Sequence, residues 1–387
     1  MVHGSFSGHH MFDLSALPDN LYGPDVPTSA WTDRVETSSG HKFPSGSLGK
    51  LSPVPWKAQL ERLIGIPIYL MLNWLPFLLP LVCFAVGGAR GLAILAAVLA
   101  SLTLRPVYTL LGSMLSCIPL ALGVPKAQLS GQYVYTERNN QKYLSMRMVW
   151  GEAFERYRTT KAGEGRPVIF AIIPHGIAPL GVTGYPAWSR LCGGVCRWTA
   201  APVVLKIPLV GPMLRSIGYV EAKGKAISGA LSKGDSVGIV LDGIAGMFQQ
   251  SDSIEKGYVL QRKAIAALAL RANCAIVPVY GFGHTSLWTV VTDPFGLLER
   301  LSIALNVSVC PFYGRWGWPL GAPRRQPVLV AIGDPIECGS APSAASDAPP
   351  TKEQVAEMHA RLVEGFTKTF DEFKDEYGWG DKELKLV

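Results

Sequence analysis

The sequence predicts an α/β protein with a largely parallel sheet and flanking helices, preceded by an N-terminal membrane hairpin. Three observations predict it: short apolar runs alternating with helical stretches beyond residue 126, a charge-free run of 27 residues from Leu63 to Ala89, and a composition of 48% hydrophobic against 17% charged residues. Average soluble domains carry about 25% charged residues. A chain of 387 residues holds ample material for a core, so a disulfide-stapled miniprotein and a chain disordered throughout are both excluded.

Residues 1–50 are rich in Gly, Ser, Pro, His and Asp, show no apolar periodicity, and read as a disordered tail. The tail lacks the apolar core of a signal peptide. Its acids Asp13, Asp19, Asp25, Asp33 and Glu36 argue against a transit peptide, which would be acid-poor. Residues 51–125 read as a membrane-embedded hydrophobic hairpin. Leu63–Ala89 is long enough to cross the hydrocarbon layer, which takes about 20 residues of helix. Further apolar runs follow over 91–104 and 107–125, and the break at Gly87-Gly88-Ala89-Arg90-Gly91 suits a hairpin tip. Basic flanks at Lys57, Arg62 and Lys126 place both ends on the cytosolic side.

Residues 126–387 read as the α/β domain. "VIFAII" (168–173) is a buried strand ending at Pro174, and 177–191 holds a helix. Strands follow at 202–205, 219–222, 236–241 and 275–280, with helices at 211–217, 225–231 and 258–271 between them. Alternation of this kind argues for a parallel sheet, whose reactive residues lie beyond the C-terminal ends of strands. The segment 339–351 is a polar linker. After it, Val355, Met358, Leu362, Phe366, Phe370, Phe373 and Tyr377 recur at helical spacing, one apolar stripe that packs a terminal helix on the domain.

The net charge of +7 is spread singly and in pairs, without the clustered basic and aromatic pattern of a nucleic-acid surface. An anionic membrane surface or a phosphate-bearing substrate explains the surplus at least as well. Seven cysteines, with Cys192 and Cys196 at a spacing that matches no zinc pattern, read as free thiols in a reducing compartment. There is no P-loop and no dinucleotide fingerprint.

His3, His9, His10 and His41 fall in the tail and are set aside; His359 on the terminal helix reads as structural. His175 directly follows the strand "VIFAII", where a following helix N-terminus keeps an imidazole neutral and basic. His284, after "IVPVYGFG", is its competitor. Gly234-Asp235-Ser236-Val237-Gly238 matches the nucleophile elbow, but here the helix precedes and the strand follows, so Ser236 reads as a helix-to-strand loop residue.

"IPHGIAPLG" (173–181) resembles the HPHG block of type 2 diacylglycerol acyltransferases and their monoacylglycerol and wax-ester relatives. "RKAIAALALRANCAIVPVYGFG" (262–283), "PFYGRWG" (311–317), "IGDPIE" (332–337) and the terminal helix with Tyr377-Gly378 are similar to the same family in the same order. "KIPLVGPMLRSIGYVEAK" (206–223) is similar to the broader glycerolipid acyltransferase superfamily. The sequence departs from the family at two places: Ile173 replaces the first His of HPHG, and the Glu after the Gly-rich block is missing, leaving Asp242 as the nearest carboxylate.

The resemblance implies a glycerolipid-acyltransferase-like fold and an acyl-CoA-dependent O-acyltransferase of the endoplasmic reticulum membrane or lipid droplet, with diacylglycerol as acceptor. It needs acyl-CoA as co-substrate, no bound cofactor and no metal; a homo-oligomer is left open. His175 is the expected base, Asp242 is expected to orient either His175 or the acceptor hydroxyl, and Pro174, Gly176 and Gly243 are expected to bind substrate. Arg262 and Lys263, then Lys206 and Arg215, are the cations expected to meet CoA phosphates. Other acceptors (a monoacylglycerol, a long-chain alcohol, a lysophospholipid), a serine lipid hydrolase using Ser236, and an inactive lipid-droplet scaffold are the alternatives.

Overall fold

The computed structural model of the protein describes residues 8–16, 36–37, 42–53, 82–95, 97, 141–160, 166–179, 185–206, 211, 214–215, 218–248, 253–291, 293–305, 308–317, 322–338 and 349–387. Its centre is a nine-stranded sheet. Strand β4 (Val168–Ile173) lies in the middle, with β9 (Ala275–Phe282) on one side and β7 (Ser236–Val240) on the other, then β5 (Cys196–Ala200) and β6 (Val220–Glu221). These five run parallel. Beyond β9 come β12 (Leu329–Ile332), antiparallel to it, and then β3 (Arg147–Trp150), β1 (His10–Asp13) and β2 (Glu36–Thr37), while β8 (Ile254–Gly257) pairs with β13 (Glu383–Leu386) and β10 (Thr289–Val290) with β11 (Phe312–Tyr313) in two small sheets.

A strand covered on both faces needs apolar residues at every position rather than at alternate ones. "VIFAII" is such a run, and all six residues are buried. Phe170 and Ile172 face a cluster with Trp188 and Trp198, whereas Ile169, Ala171 and Ile173 face the opposite cluster with Phe366, Phe370 and Phe373. On β7, Gly238 admits the Trp198 ring: a Cβ there would lie 2.5 Å from it.

The second cluster is closed by the terminal helix Lys352–Tyr377, and the stripe expected from sequence is the face it buries. Thr351 and Gln354 form a capping box at its start, and Gly378, at φ +97°, ends it in the left-handed conformation that glycine adopts without strain. His359 is buried and its Nε2–H donates to the Val259 carbonyl at 2.9 Å, a structural role as expected.

Several expectations are corrected. The segment 1–50 is not structureless where it is described: His10–Asp13 pairs with β3, and His9 is buried between Glu372 and Glu376 of the terminal helix. Sequence periodicity could not show this, because the anchor is a buried ion pair rather than an apolar stripe. Residues 204–206 are a 3-10 turn; the strand lies earlier, at Cys196–Ala200, where Cys196 and Trp198 supply the buried alternate positions. The helix placed at 177–191 is Tyr185–Leu191, and the one at 258–271 starts only at Ala264.

The hairpin expected at 51–125 and the linker at 339–351 fall largely outside the described residues. Among the described residues no helix is long and apolar enough to cross a membrane. Residues 82–95 are helical and leave Val82, Phe84, Val86, Leu92 and Ile94 exposed.

Candidate active site

Three adjacent parallel strands deliver three polar side chains to one edge of the sheet. Register aligns Ile172 with Val240 and Ile173 with Tyr280, so the residues just past β7, β4 and β9 emerge together. They are Asp242, His175 and His284. This is the carboxyl edge of a parallel sheet, where such folds bind ligands.

His175 is held from two directions. Its backbone N–H donates to Asp242 Oδ2 at 2.8 Å. Its ring Nδ1 lies 2.7 Å from the Gly176 carbonyl oxygen, which can only accept, so Nδ1 carries a proton and, in the neutral ring, Nε2 holds the lone pair. The group that orients the imidazole is thus the neighbouring peptide, not a carboxylate. Asp242 holds the backbone instead. Gly176 can present its carbonyl in this way because its φ is +58°, a left-handed value natural for glycine.

Asp242 is fully buried, and its Oδ1 has no hydrogen-bond partner among the described residues. Burial raises its pKa from 3.8 to about 6, against the opposing pull of His175, of the backbone N–H groups and of Arg262. A raised carboxyl pKa means that the folded state holds a proton that the unfolded chain has released, so stability falls as pH rises through this range. The rise from 3.8 to about 6 is worth on the order of 3 kcal/mol. Asp242→Asn keeps an acceptor for the His175 N–H and removes the titration. Denaturant unfolding at pH 4 and pH 8 is expected to show that the variant lacks this part of the wild-type loss of stability; an unchanged pH dependence would contradict the assignment.

The helix Gly243–Met247 begins directly after Asp242. A Cβ at Gly246 would run into the Asp242 carboxylate. Gly246 is a site residue that sequence reasoning missed, and the signal was a small residue one helical turn past the acid.

Of the remaining expected residues, Pro174 is buried beside His175, and Arg262 reaches the site: a Cβ at Gly243 would lie 3.5 Å from its Nη2. Lys263 is exposed just before the helix Ala264–Ala272. Lys206 and Arg215 lie instead by β6, three strands from β4, or about 14 Å. There Arg215 donates to the Leu205 carbonyl at 2.7 Å and, with Lys206 and Lys223, depresses the Glu221 carboxyl, Lys223 having the largest effect. His284, the rival base, is 1% exposed, and burial lowers its pKa to about 3, so it does not meet solvent-borne substrate as a base.

Ser236 begins β7, at the end of the strand remote from Asp242. Its hydroxyl accepts from the Val168 N–H at 3.1 Å, tying β7 to β4. Among the described residues no group of His, Cys, Asp and Glu is arranged to hold a metal ion, and the six described cysteines are free.

A His and an Asp at the carboxyl edge of the parallel sheet make this the candidate site of an α/β protein. The diacylglycerol acyltransferase family model matches residues 154–387, which takes in all three of these side chains. The chain belongs to that family and is an acyltransferase. Among its relatives, 2-acylglycerol O-acyltransferase 1 of Bos taurus is 28% identical over 238 residues, covering 56% of this chain and 68% of that protein. Diacylglycerol O-acyltransferase 2-like protein 6 of Homo sapiens is 25% identical over 320 residues, covering 70% and 90%. Diacylglycerol O-acyltransferase 2 of Bos taurus is 26% identical over 243 residues, covering 57% and 65%. A solved structure, the 1-acyl-sn-glycerophosphate acyltransferase of Thermotoga maritima, overlays with a TM-score of 0.28 and 12% identity, covering 59% of this chain and 82% of that one.

Proposed function

We propose that the protein is an acyl-CoA:diacylglycerol O-acyltransferase that forms triacylglycerol at the endoplasmic reticulum membrane, with His175 as general base. The observation that supports this most is the fixed tautomer of His175: Nδ1–H is committed to the Gly176 carbonyl, and Nε2 is the basic atom. Nε2 takes the acceptor's hydroxyl proton while that oxygen attacks the thioester carbonyl. The C–S bond then breaks, and the proton passes from the imidazolium to the departing CoA thiolate. A positioned base of this kind is worth roughly 10²–10⁴ in rate. No acyl-enzyme is required, since the thioester is already activated. Backbone N–H groups of the 176–178 turn are the donors for the developing oxyanion.

Arg262, beside Gly243, is the cation placed to meet an anionic group of the acyl donor, with Lys263 next to it in sequence. The apolar stretch beginning at Leu63 and the exposed apolar side chains of residues 82–95 support approach to a bilayer, where both lipid substrates reside. Holding two lipids side by side supplies the proximity that a soluble enzyme would lack.

The test supplies labelled acyl-CoA and one acceptor at a time to membranes containing the full chain: diacylglycerol, monoacylglycerol, a long-chain alcohol or a lysophospholipid. Triacylglycerol is the expected dominant product. Preference for monoacylglycerol, the acceptor class in the name of a 28% identical relative, would reassign the acceptor while keeping the chemistry. Ser236→Ala is expected to leave the transfer rate within about twofold, because the hydroxyl accepts from the Val168 N–H at the end of the strand remote from Asp242. Loss of activity in that variant would favour a serine hydrolase.

A further inference from the structure

His284 is a buried polar group that the proposed reaction does not use. It is 1% exposed, and among the described residues neither ring nitrogen makes a well-aligned hydrogen bond; the ring has only weak contacts with the backbone of Pro174 and Ala178. Leaving a buried polar atom poorly paired costs up to about 1–3 kcal/mol, so an apolar side chain of similar size would suit a purely structural position better. Such costs persist in folds where a site needs the group.

The place of the ring is informative. Built onto Gly176, a Cβ would lie 3.0 Å from His284 Nδ1 and 3.2 Å from the His284 carbonyl oxygen, so the imidazole edge and its backbone occupy the space beside Gly176 that a side chain would need. The backbone groups of Pro174 and Ala178, on either side of that glycine, bond weakly to the ring, while His175 acts on it through its charge. Gly176 is the residue whose carbonyl fixes the His175 tautomer. The contacts form one chain: His284 against Gly176, and Gly176 against the His175 Nδ1–H.

We propose that His284 is a positioning residue for His175: its ring, held under the 174–178 turn, fixes the Gly176 peptide so that the carbonyl faces His175 Nδ1. The polar edge of the ring matters because it faces peptide groups, which a hydrocarbon side chain would leave in an apolar wall. Burial keeps the ring neutral, with a pKa near 3, so this edge is the same at every working pH. The role rests on the reading of His175 as the base, and it extends that reading to the third of the three adjacent strands.

The experiment compares His284→Leu, which keeps bulk without a polar edge, with His284→Gln, which restores an amide. Each is assayed in membranes for kcat and for the KM of acyl-CoA and acceptor, normalised to folded protein by thermal melting. His284→Leu is expected to lose about tenfold to hundredfold in kcat, the scale of a small misplacement of a catalytic group, with both KM values within about twofold. His284→Gln is expected to recover most of that loss. Wild-type kcat in His284→Leu, a loss that appears in KM instead, a loss that merely follows the folded fraction, or failure of both variants to fold would each overturn the proposal. His175 is untouched in both variants, so its own role stands or falls separately, on His175→Ala.

Discussion

Replacing His9 with alanine is expected to lower the stability of the folded protein by about 3 kcal/mol, the scale for removing one partner of a buried ion pair. His9 Nδ1 lies 2.5 Å from Glu376 Oε1 and Nε2 lies 3.0 Å from Glu372 Oε1, while the ring packs 4.6 Å from Phe373. Glu376 is only 1% exposed, and its Oε1 also accepts from the Phe43 N–H. Alanine would leave that carboxylate buried without its cation and would free the N-terminal strand from the terminal helix. Burial alone would pull the His9 pKa down, but the bonds and charges of the two glutamates outweigh it and raise it to about 9. The sign follows: a raised histidine pKa stabilises fully below pH 6.5, and the contribution is lost as pH rises towards 9. Unfolding measured at pH 6.5 and pH 9 should therefore show a wild-type loss that is absent in the variant. A stability change below about 1 kcal/mol, no more than an exposed pair would contribute, would contradict this account of the N-terminus.

That residue also marks where the sequence stopped being legible. Strands buried on both faces announce themselves as unbroken apolar runs, which is why Val168–Ile173, Ser236–Val240 and Ala275–Phe282 could be read close to their true bounds. The terminal helix was legible from its stripe. His10–Asp13 was not, because a four-residue edge strand carries almost no period, and its tether is a charge pair spanning more than 360 residues of chain. Cys196–Ala200 was missed for a related reason: alternation over five residues, with Arg197 outward, is weak beside the apolar "PVVL" that follows it.

At the site, the strand end pointed to His175 and the family resemblance to Asp242, and adjacent strands bring the two into contact. The nature of that contact was beyond sequence. A carboxylate near a catalytic-type histidine is expected to bond its ring, whereas Asp242 bonds the backbone and the ring is oriented by the Gly176 carbonyl. A glycine's φ of +58° and the direction of one carbonyl leave no pattern in composition or spacing. The cations divide similarly: Arg262 folds back to Gly243, while Lys206 and Arg215 are carried to the far edge of the sheet by strands whose order the sequence does not state.

The backbone bond to Asp242 makes His175→Ala an unusually clean substitution. Alanine keeps the N–H that donates to Asp242 Oδ2 and removes only the imidazole, so the turn and the buried carboxyl stay paired. The fold should therefore survive while the base is lost. Binding of acyl-CoA should change little, because the role proposed for the side chain is on the acceptor's proton rather than on the donor's phosphates. Kinetically, that predicts a fall in kcat by about 10²–10⁴ with the KM for acyl-CoA within a few fold. The measurement is the initial rate of labelled acyl transfer from acyl-CoA to diacylglycerol in membranes holding equal amounts of wild type and His175→Ala. A loss of at least about a hundredfold is the predicted result, and a rate within about threefold of wild type would contradict His175 as the general base.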